Sequence, residues 1–294
     1  MMKVLGEKRN FLAVEENYSS YENSEIVIIS APLEATVSYG GGTKNGPKEI
    51  LKASHYVEFY DEEFDRELIF ETGICTLPEL DFNGKNVKKS IELIYKETKK
   101  HLQNDKFVVV LGGEHSLSQA TIKAHFEHFS NISVLQIDAH SDFRDSYEGS
   151  KYSHASVMAR VAEFTKDIVQ VGIRAQCIEE SEFIKENQIN TFYARDIRTN
   201  KYEDWQSEAV QALHENVYIT FDVDGLDPSV ISDTGTPEPG GLFWDETIDL
   251  IKKVGAERRI VGFDVVELAP KKGATISSFN TAKIIYKILN CAFK

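Results

Sequence analysis

The sequence of 294 residues has few cysteines and few basic side chains relative to acidic ones, and both features exclude whole classes of protein. Its three cysteines, Cys75, Cys177 and Cys291, lie far apart and form no C-x-x-C pair, so neither a disulfide framework nor a thiolate zinc site is available. Lysine and arginine number 33 against 47 acidic residues, a net charge of −14. That charge has the wrong sign for binding phosphates or an anionic membrane surface. We therefore predict neither a nucleic-acid partner nor a membrane partner.

Long apolar runs are also missing. No stretch approaches the roughly 18 apolar residues that a membrane-spanning helix needs. Charged residues or asparagine interrupt the first residues every few positions, unlike the continuous apolar segment of a secretory signal. Together with the low cysteine content, this predicts a cytoplasmic protein.

Short runs rich in valine and isoleucine recur along the chain and predict buried β-strands. They occupy residues 26–30, 107–111, 132–137, 168–172, 217–221 and 260–264. These runs contain too few alternating polar residues for a half-exposed antiparallel sheet, whereas nearly continuous apolar strands are typical of parallel sheets that are covered on both faces. The chain therefore favours a parallel sheet.

The segments between these runs have apolar residues at helical spacing of three and four. The pattern appears at Val87, Ile91, Ile94, Tyr95 and Leu102, at Trp205, Ala209, Val210 and Leu213, and at Ala282, Ile285, Ile288 and Leu289. Strands that alternate with helices predict an α/β fold, a three-layer α/β/α sandwich with a mostly parallel central sheet. We find no linker or repeat, so residues 25–294 are predicted to form a single catalytic domain. Residues 1–24 are predicted to be an N-terminal arm that packs on this domain or on a neighbouring subunit.

Polar side chains follow three of the predicted strands. Residues 112–116 are Gly-Gly-Glu-His-Ser, residues 138–142 are Asp-Ala-His-Ser-Asp, and residues 222–228 are Asp-Val-Asp-Gly-Leu-Asp-Pro. Ligands of parallel sheets bind beyond the carboxyl ends of strands, and alternate residues of an extended chain point to the same side. The expected ligand cluster is His115, Asp138, His140, Asp142, Asp222 and Asp224.

This cluster predicts a metal site. Four carboxylates packed together would repel one another strongly unless a cation neutralised them. Six side chains exceed the four that close a tetrahedral site, which suggests two ions, and mostly oxygen ligands with one imidazole per ion favour Mn²⁺. A single Asp-x-Asp after a strand is more often a turn or a helix cap, so the interpretation depends on all three segments converging.

These motifs resemble the signature of the arginase and agmatinase family, the ureohydrolases, over residues 112–116, 138–157, 222–241 and 263–270. Residues 152–158 and 234–241 resemble the agmatinase branch in particular. The resemblance implies an arginase-like three-layer sandwich and two Mn²⁺ ions per subunit. One ion would be held by His115, Asp138, Asp142 and Asp222, and the other by Asp138, His140, Asp222 and Asp224. A homo-oligomer is also implied.

The resemblance further implies that His154 is the active-site histidine and that Glu267 binds the guanidinium group of the substrate. Two ions would activate a bridging water, which attacks the guanidinium carbon, and Asp224 would be a proton relay because it touches a metal and that water. His154 would protonate the departing amine. Without the metal motifs, His154 would be a polar residue at a helix start and Glu267 a solvated acid. The glycine-rich residues 40–47 lack the Gly-Lys-Ser/Thr ending of a phosphate loop and favour an active-site or interface loop.

The predicted substrate is agmatine, which would yield putrescine and urea. In the family, the segment after Asp142 contacts the far end of the substrate, where Asp145 and Glu148 would attract an amine and repel a carboxylate. Arg144 could compensate, so arginine, a guanidino acid and aminopropylagmatine stay open as substrates. Alternatives from other classes are a mononuclear zinc deacetylase, a dinuclear phosphoesterase and a non-catalytic metal-binding module.

Overall fold

A computed structural model describes residues 2–294 and contains one eight-stranded sheet in which every neighbouring pair of strands is parallel. The strands are β1 (Ile26–Ala31), β2 (Ile74–Thr76), β3 (Phe107–Gly112), β4 (Ile132–Ile137), β5 (Ile168–Ile173), β6 (Asn190–Tyr193), β7 (Asn216–Asp222) and β8 (Arg259–Val266). Their order across the sheet is β2-β1-β3-β8-β7-β4-β5-β6. The predicted α/β fold with a parallel sheet is confirmed.

Helices cover both faces of this sheet. They are α1 (Glu16–Ser19), α2 (Gly46–Ser54), α3 (Leu68–Thr72), α4 (Val87–Leu102), α5 (Ser118–His128), α6 (Val157–Val161), α7 (Ile178–Glu186), α8 (Ala194–Arg198), α9 (Trp205–Gln211), α10 (Trp244–Glu257) and α11 (Ile276–Ala292). Helices α4, α5 and α6 pack together on one face, and α2, α9, α10 and α11 form a layer on the other. Among the helices described, none has the length and apolar character needed to cross a membrane.

The buried strands coincide with the valine and isoleucine runs. The two strands without such runs, β2 and β6, were not predicted. All six predicted strands are present, with ends that differ from the predicted ones by at most two residues. Strand β2 has only three residues, too few to show a pattern. Strand β6 lies at the sheet edge, is partly exposed and begins with the polar pair Asn190 and Thr191. Neither segment carries the continuous apolar run that marks a buried strand.

Chain order places the four central strands β3, β8, β7 and β4 side by side. After β3 the chain crosses to β4, continues outward through β5 and β6, and then returns to fill the centre with β7 and β8. Such a reversal of strand order opens a crevice at the carboxyl ends of the strands, where open α/β sheets bind their ligands. The carboxyl ends of these four strands and the loops after them carry all the predicted metal ligands and Glu267.

The N-terminal segment packs against the edge of the sheet. Phe11 and Leu12 are buried in the main hydrophobic core. The backbone N–H of Phe11 donates to Thr76 Oγ1 at 3.0 Å, and that of Leu12 donates to Ser54 Oγ at 2.9 Å. These contacts join residues 2–24 to β2 and α2, whereas Met1 lies outside the described residues. The division into an arm and a catalytic domain stays a prediction.

We expect Phe11→Ala to lower the free energy of unfolding by about 3–5 kcal/mol, because it empties a fully buried aromatic site. Urea denaturation measures this change. The matched control is Tyr56→Ala, whose ring is 75% exposed and whose loss should change stability by no more than about 0.5 kcal/mol. Equal effects of the two substitutions would show that the N-terminal segment does not belong to the cooperative fold.

Candidate active site

A cleft of about 180 Å³ lies at the carboxyl ends of the central strands. Its lining includes most of the residues that the sequence marked as functional, together with residues from the loop after β1 and from residues 235–236. The lining residues are Val37, Ser38, Tyr39, Gly40, His115, His140, Asp142, Arg144, Tyr147, His154, Ala155, Asp222, Asp224, Gly235, Thr236 and Glu267. The cleft is smaller than the pockets typical of drug-sized ligands, which suits a small, unbranched molecule.

His115 lies at the centre of a first cluster of carboxylates. Its Nδ1 atom is 3.1 Å from Asp138 Oδ2, 3.0 Å from Asp142 Oδ2 and 3.3 Å from Asp222 Oδ2. This ring nitrogen is buried and makes no hydrogen bond of acceptable geometry to any described residue. Three carboxylate oxygens around one unbonded imidazole nitrogen are the donor set that a divalent cation requires.

A second cluster adjoins the first and shares Asp138 with it. His140 Nδ1 is 3.0 Å from Asp224 Oδ2 and 3.7 Å from Asp138 Oδ1. Backbone amides hold these carboxylates in place: His140 N donates to Asp138 Oδ1 at 2.6 Å, and Asp224 N donates to Asp222 Oδ1 at 2.9 Å. The structure therefore brings all six predicted ligands together in two adjoining groups.

The charge balance of the two clusters fits a pair of divalent cations. Within residues 2–294, no lysine or arginine forms an ion pair with Asp138, Asp142, Asp222 or Asp224. Burial, reinforced by the charge of Asp138, raises the pKa of Asp142 to about 7, and burial with the charge of Asp224 raises the pKa of Asp222 well above its usual value. Buried carboxylates this close together are costly unless a cation neutralises them. The side chains of the two clusters are therefore suited to binding metal cations.

The ring of His115 is oriented by a buried polar chain behind it. His115 Nε2 lies 2.9 Å from Thr220 Oγ1, and the Thr220 hydroxyl donates to Asp264 Oδ1 at 2.7 Å. Because the hydroxyl has one proton and gives it to Asp264, its oxygen must accept from Nε2. The neutral ring then has its lone pair on Nδ1, where it is available to a metal ion, an arrangement common behind ligating histidines.

Arg174 fixes the loop that carries Asp224. The Arg174 guanidinium donates to the carbonyl oxygens of Asp224 at 2.6 Å, Gly225 at 3.2 Å and Glu238 at 2.8 Å. Gly225 packs so closely that an added Cβ would lie 2.7 Å from Asp138 N. Glycine at this position lets the loops after β4 and β7 approach each other.

Glu267 and His154 complete the cleft. Glu267 Oε1 accepts a hydrogen bond from His115 N at 2.6 Å, whereas no described residue donates to its Oε2. Burial raises the pKa of Glu267 to about 8, and its φ of 65° is unusual for a residue with a side chain. Strained backbone of this kind is often retained at functional sites. Burial also lowers the pKa of His154.

Comparison with known proteins identifies the family. The chain matches the description "Arginase family" over residues 24–291.

It belongs to the arginase family.

Two relatives and one solved structure support the same family assignment. The chain is 37% identical over 280 residues to an N(1)-aminopropylagmatine ureohydrolase of Synechocystis sp., which covers 93% of this chain and 91% of the relative. It is 34% identical to an agmatinase of Bacillus cereus, with 87% of each chain covered. The agmatine ureohydrolase structure from Thermoplasma volcanium is 27% identical, has a TM-score of 0.85, and covers 99% of this chain and 94% of its own. This arginase-family protein is therefore a ureohydrolase, an enzyme that hydrolyses guanidino groups, and its family is one of binuclear metal enzymes.

The structure does not place Asp145 and Glu148 in the cleft lining of this ureohydrolase. The Asp145 side chain is 74% exposed and pairs with Lys151 Nζ at 3.2 Å and Arg160 Nη2 at 3.1 Å. Glu148 is exposed within the turn between Tyr147 and Ser150. The proposed substrate contact of these acids has no geometric support, because Arg144 and Tyr147 from the same loop line the cleft instead.

Sequence reasoning on this family member did not identify Thr220, Asp264 and Arg174. The sequence did contain a signal for Thr220 and for Asp264. Thr220 precedes Asp222 by two residues on β7 and thus points to the same side of the strand. Asp264 is a carboxylate within the apolar strand β8, where it is fully buried. Arg174 had no local signal, since its role comes from contacts with two distant loops.

We expect the metal-free ureohydrolase to bind Mn²⁺ more weakly as the pH is lowered through about 7, the raised pKa of Asp142. A cation must displace protons from its ligands, and these protons are held more firmly at lower pH. Calorimetric titration across this range measures the effect, with Asp142→Asn as a variant that should flatten the slope. Affinity that does not change with pH would contradict the assignment of Asp142 as a ligand.

Proposed function

We propose that this ureohydrolase hydrolyses agmatine to putrescine and urea, with two Mn²⁺ ions held by His115, Asp138, His140, Asp142, Asp222 and Asp224. One observation carries the proposal: two ligand clusters share Asp138 at the base of a cleft that also contains Glu267 and His154. A mononuclear deacetylase would not need the second cluster. A metal-binding module without catalysis would give Glu267 and His154 no role.

Glu267 is the proposed binding partner of the substrate guanidinium. Its Oε1 atom is fixed by His115 N, so the free Oε2 is held beside the ligand clusters. A planar guanidinium forms strong charge-assisted hydrogen bonds to carboxylates. Because burial raises the pKa of Glu267 to about 8, the bound cation would favour the ionised form and bring the pKa down. Substrate binding and ionisation of Glu267 are thereby linked.

The remaining chemistry is divided between the metal ligands and His154. Bound divalent cations would supply Lewis acidity that lowers the pKa of water toward neutrality. Asp224, held by Ala139 N at 3.1 Å and next to His140, is the proposed proton relay. His154 is half-buried at the cleft wall, and burial lowers its pKa, so the ring is neutral at pH 7 and able to accept a proton. It then delivers this proton to the departing amine.

A second candidate substrate is N1-aminopropylagmatine. The Synechocystis relative, which is 37% identical to this chain and is an N(1)-aminopropylagmatine ureohydrolase, supports it. The cleft entrance is open on the side of Tyr39, whose ring is 85% exposed, so an extended amine tail can leave the cleft there. Arg144 at the entrance is the feature that would favour a carboxylate instead, but its Nε lies 3.8 Å from Glu180 Oε2 and its guanidinium stacks over Tyr147. These contacts reduce its availability to a substrate.

We further propose that the enzyme is a homo-oligomer and acts in the cytoplasm. The family resemblance supports the first statement. The second is supported by three cysteines that are all free thiols, as a reducing compartment requires.

We expect Asp138→Asn and Asp222→Asn to abolish both Mn²⁺ loading and urea release, because each removes a buried anionic ligand at the point where the clusters meet. Elemental analysis and a colorimetric urea assay measure the two effects. Asp145→Asn is the matched control, since Asp145 lies outside the cleft and should leave both quantities unchanged. Full urea release by either ligand variant would overturn the site assignment.

We expect the Mn²⁺-loaded enzyme to release urea from agmatine with a kcat/KM at least about 10-fold above that for arginine, because Arg144 is the one lysine or arginine in the lining that could pair with an α-carboxylate. The comparison includes aminopropylagmatine and guanidinobutyrate. A higher kcat/KM for aminopropylagmatine would establish the second candidate. A preference for guanidinobutyrate would contradict both candidate substrates. It would indicate instead that Arg144 binds the carboxylate at the far end of the substrate.

A further inference from the structure

The glutamate of the Gly-Gly-Glu-His-Ser segment, Glu114, is a fully buried carboxylate without an assigned role. Its Oε2 atom accepts from the backbone N–H groups of Ala35 at 2.5 Å and Thr36 at 2.6 Å. Its Oε1 atom accepts from the hydroxyls of Thr36 at 2.9 Å and Ser116 at 2.6 Å. All of these partners are neutral donors. Glu114 therefore fastens the loop after β1 to the loop after β3 through hydrogen bonds.

The Thr36 hydroxyl connects this carboxylate to His154. Thr36 Oγ1 accepts from His154 N at 3.1 Å and lies 3.3 Å from His154 Nδ1. A hydroxyl has one proton and two lone pairs. The Thr36 hydroxyl donates its proton to Glu114 Oε1, which leaves both lone pairs of Thr36 Oγ1 as acceptors. One receives the backbone N–H of His154, and the other is placed to accept a proton from Nδ1.

This arrangement selects one tautomer of the His154 ring. A proton on Nδ1 would fill the remaining lone pair of Thr36 Oγ1, and Ser153 Oγ at 3.3 Å is a second neighbour of this nitrogen. The Tyr147 ring packs edge-on against the imidazole, with centroids 5.8 Å apart. With Nδ1 occupied, Nε2 retains its lone pair for the cleft. The same logic holds for His115, where Thr220 and Asp264 leave the opposite nitrogen free.

We propose that Glu114 and Thr36 are positioning residues that hold His154 as the Nδ1–H tautomer, so that Nε2 is the atom that carries the proton to the departing amine. The proposal rests on the proposed function of His154. In the reaction, the water oxygen bonds to the guanidinium carbon and the C–N bond breaks, with its electron pair going to the amine nitrogen. Both water protons end on that nitrogen, one of them by way of Nε2, and the products are urea and an alkylammonium.

The first test measures the tautomer directly. Nitrogen-15 NMR on the full chain loaded with Mg²⁺, a diamagnetic substitute for Mn²⁺, separates protonated from unprotonated ring nitrogens. The His154 signals are assigned by their loss in His154→Ala. We expect a protonated Nδ1 and an unprotonated Nε2. The reverse tautomer in the wild-type protein would overturn the proposal, and this result does not depend on the substrate or on activity.

The second test uses a matched pair at position 36. Thr36→Val removes the hydroxyl with little change in shape, and Thr36→Ser retains it. We expect Thr36→Val to lower kcat about 10-fold, a part of the 10²–10⁴ that a general acid or base contributes, with metal content and KM unchanged. Thr36→Ser should retain wild-type kcat. The ring tautomer should become mixed in Thr36→Val alone.

A double-mutant cycle separates positioning from a general structural effect. In the His154→Ala background, Thr36→Val should cause no further loss, because residues that act through one another are not additive. An equal 10-fold loss in that background would overturn the proposal. Absence of urea release by the wild-type enzyme from every guanidino substrate would instead refute the proposed function, while the NMR result would still decide the tautomer.

Discussion

Mutual repulsion among four buried carboxylates is the constraint on which the rest of this site depends. Their side chains sit at the ends of two adjacent strands, where the low dielectric strengthens every charge interaction. The sheet contributes one side-chain donor, Gln136 Nε2 to Asp138 Oδ2 at 2.8 Å, and within residues 2–294 no lysine or arginine pairs with these carboxylates. The fold instead holds the carboxylates rigidly with backbone amides and with Arg174, whose donors go to carbonyl oxygens and leave the carboxylates free. Such an assembly is preorganised for cations and unfavourable without them.

The ligand cluster was predictable because strand ends and period-two spacing are local properties of the chain. Asp138, His140 and Asp142 share a direction within a single segment, and a parallel sheet brings the ends of β4 and β7 to one edge. The three-layer fold was predictable for the same reason, since β-branched runs specify buried strands. Phe11 was not predictable as core, because it stands in a segment with no helical or strand period. Asp145 shows the opposite failure. Its charge suggested substrate recognition, but Asp145 lies outside the cleft and pairs with Lys151 and with Arg160 at the end of α6.

His115 and His154 each contact a threonine hydroxyl that is hydrogen-bonded to a buried carboxylate. They differ in which ring nitrogen contacts the hydroxyl. Thr220 and Asp264 occupy Nε2 of His115, whereas Thr36 and Glu114 occupy Nδ1 of His154. A hydroxyl between imidazole and carboxylate fixes the tautomer without a direct ion pair, so the ring is oriented but not forced to be cationic. A neutral ring is what a metal ligand needs, and a ring that is neutral at rest can gain and lose a proton during turnover. Neither hydrogen-bonded chain is visible in the local sequence, because its members come from different strands. Thr36 follows β1 and Glu114 follows β3, while Thr220 lies on β7 and Asp264 on β8.

In the proposed function, substrate choice depends on the few residues at the cleft entrance, because the proposed metal ligands and Glu267 would contact only the guanidino group. Arg144 is the single guanidinium in the lining, and its effect depends on Glu180. Glu180 is buried and accepts from Ser141 Oγ, Phe143 N and Cys177 N, which fixes its carboxylate beside Arg144. Held there and stacked on Tyr147, Arg144 forms part of the cleft wall. Its charge then repels an amine tail less than a free arginine would, since the paired carboxylate offsets it. An entrance with a paired arginine and the exposed ring of Tyr39 has room for alkylamine tails of different length, which is the physical basis on which we propose agmatine and its aminopropyl derivative as the two candidate substrates.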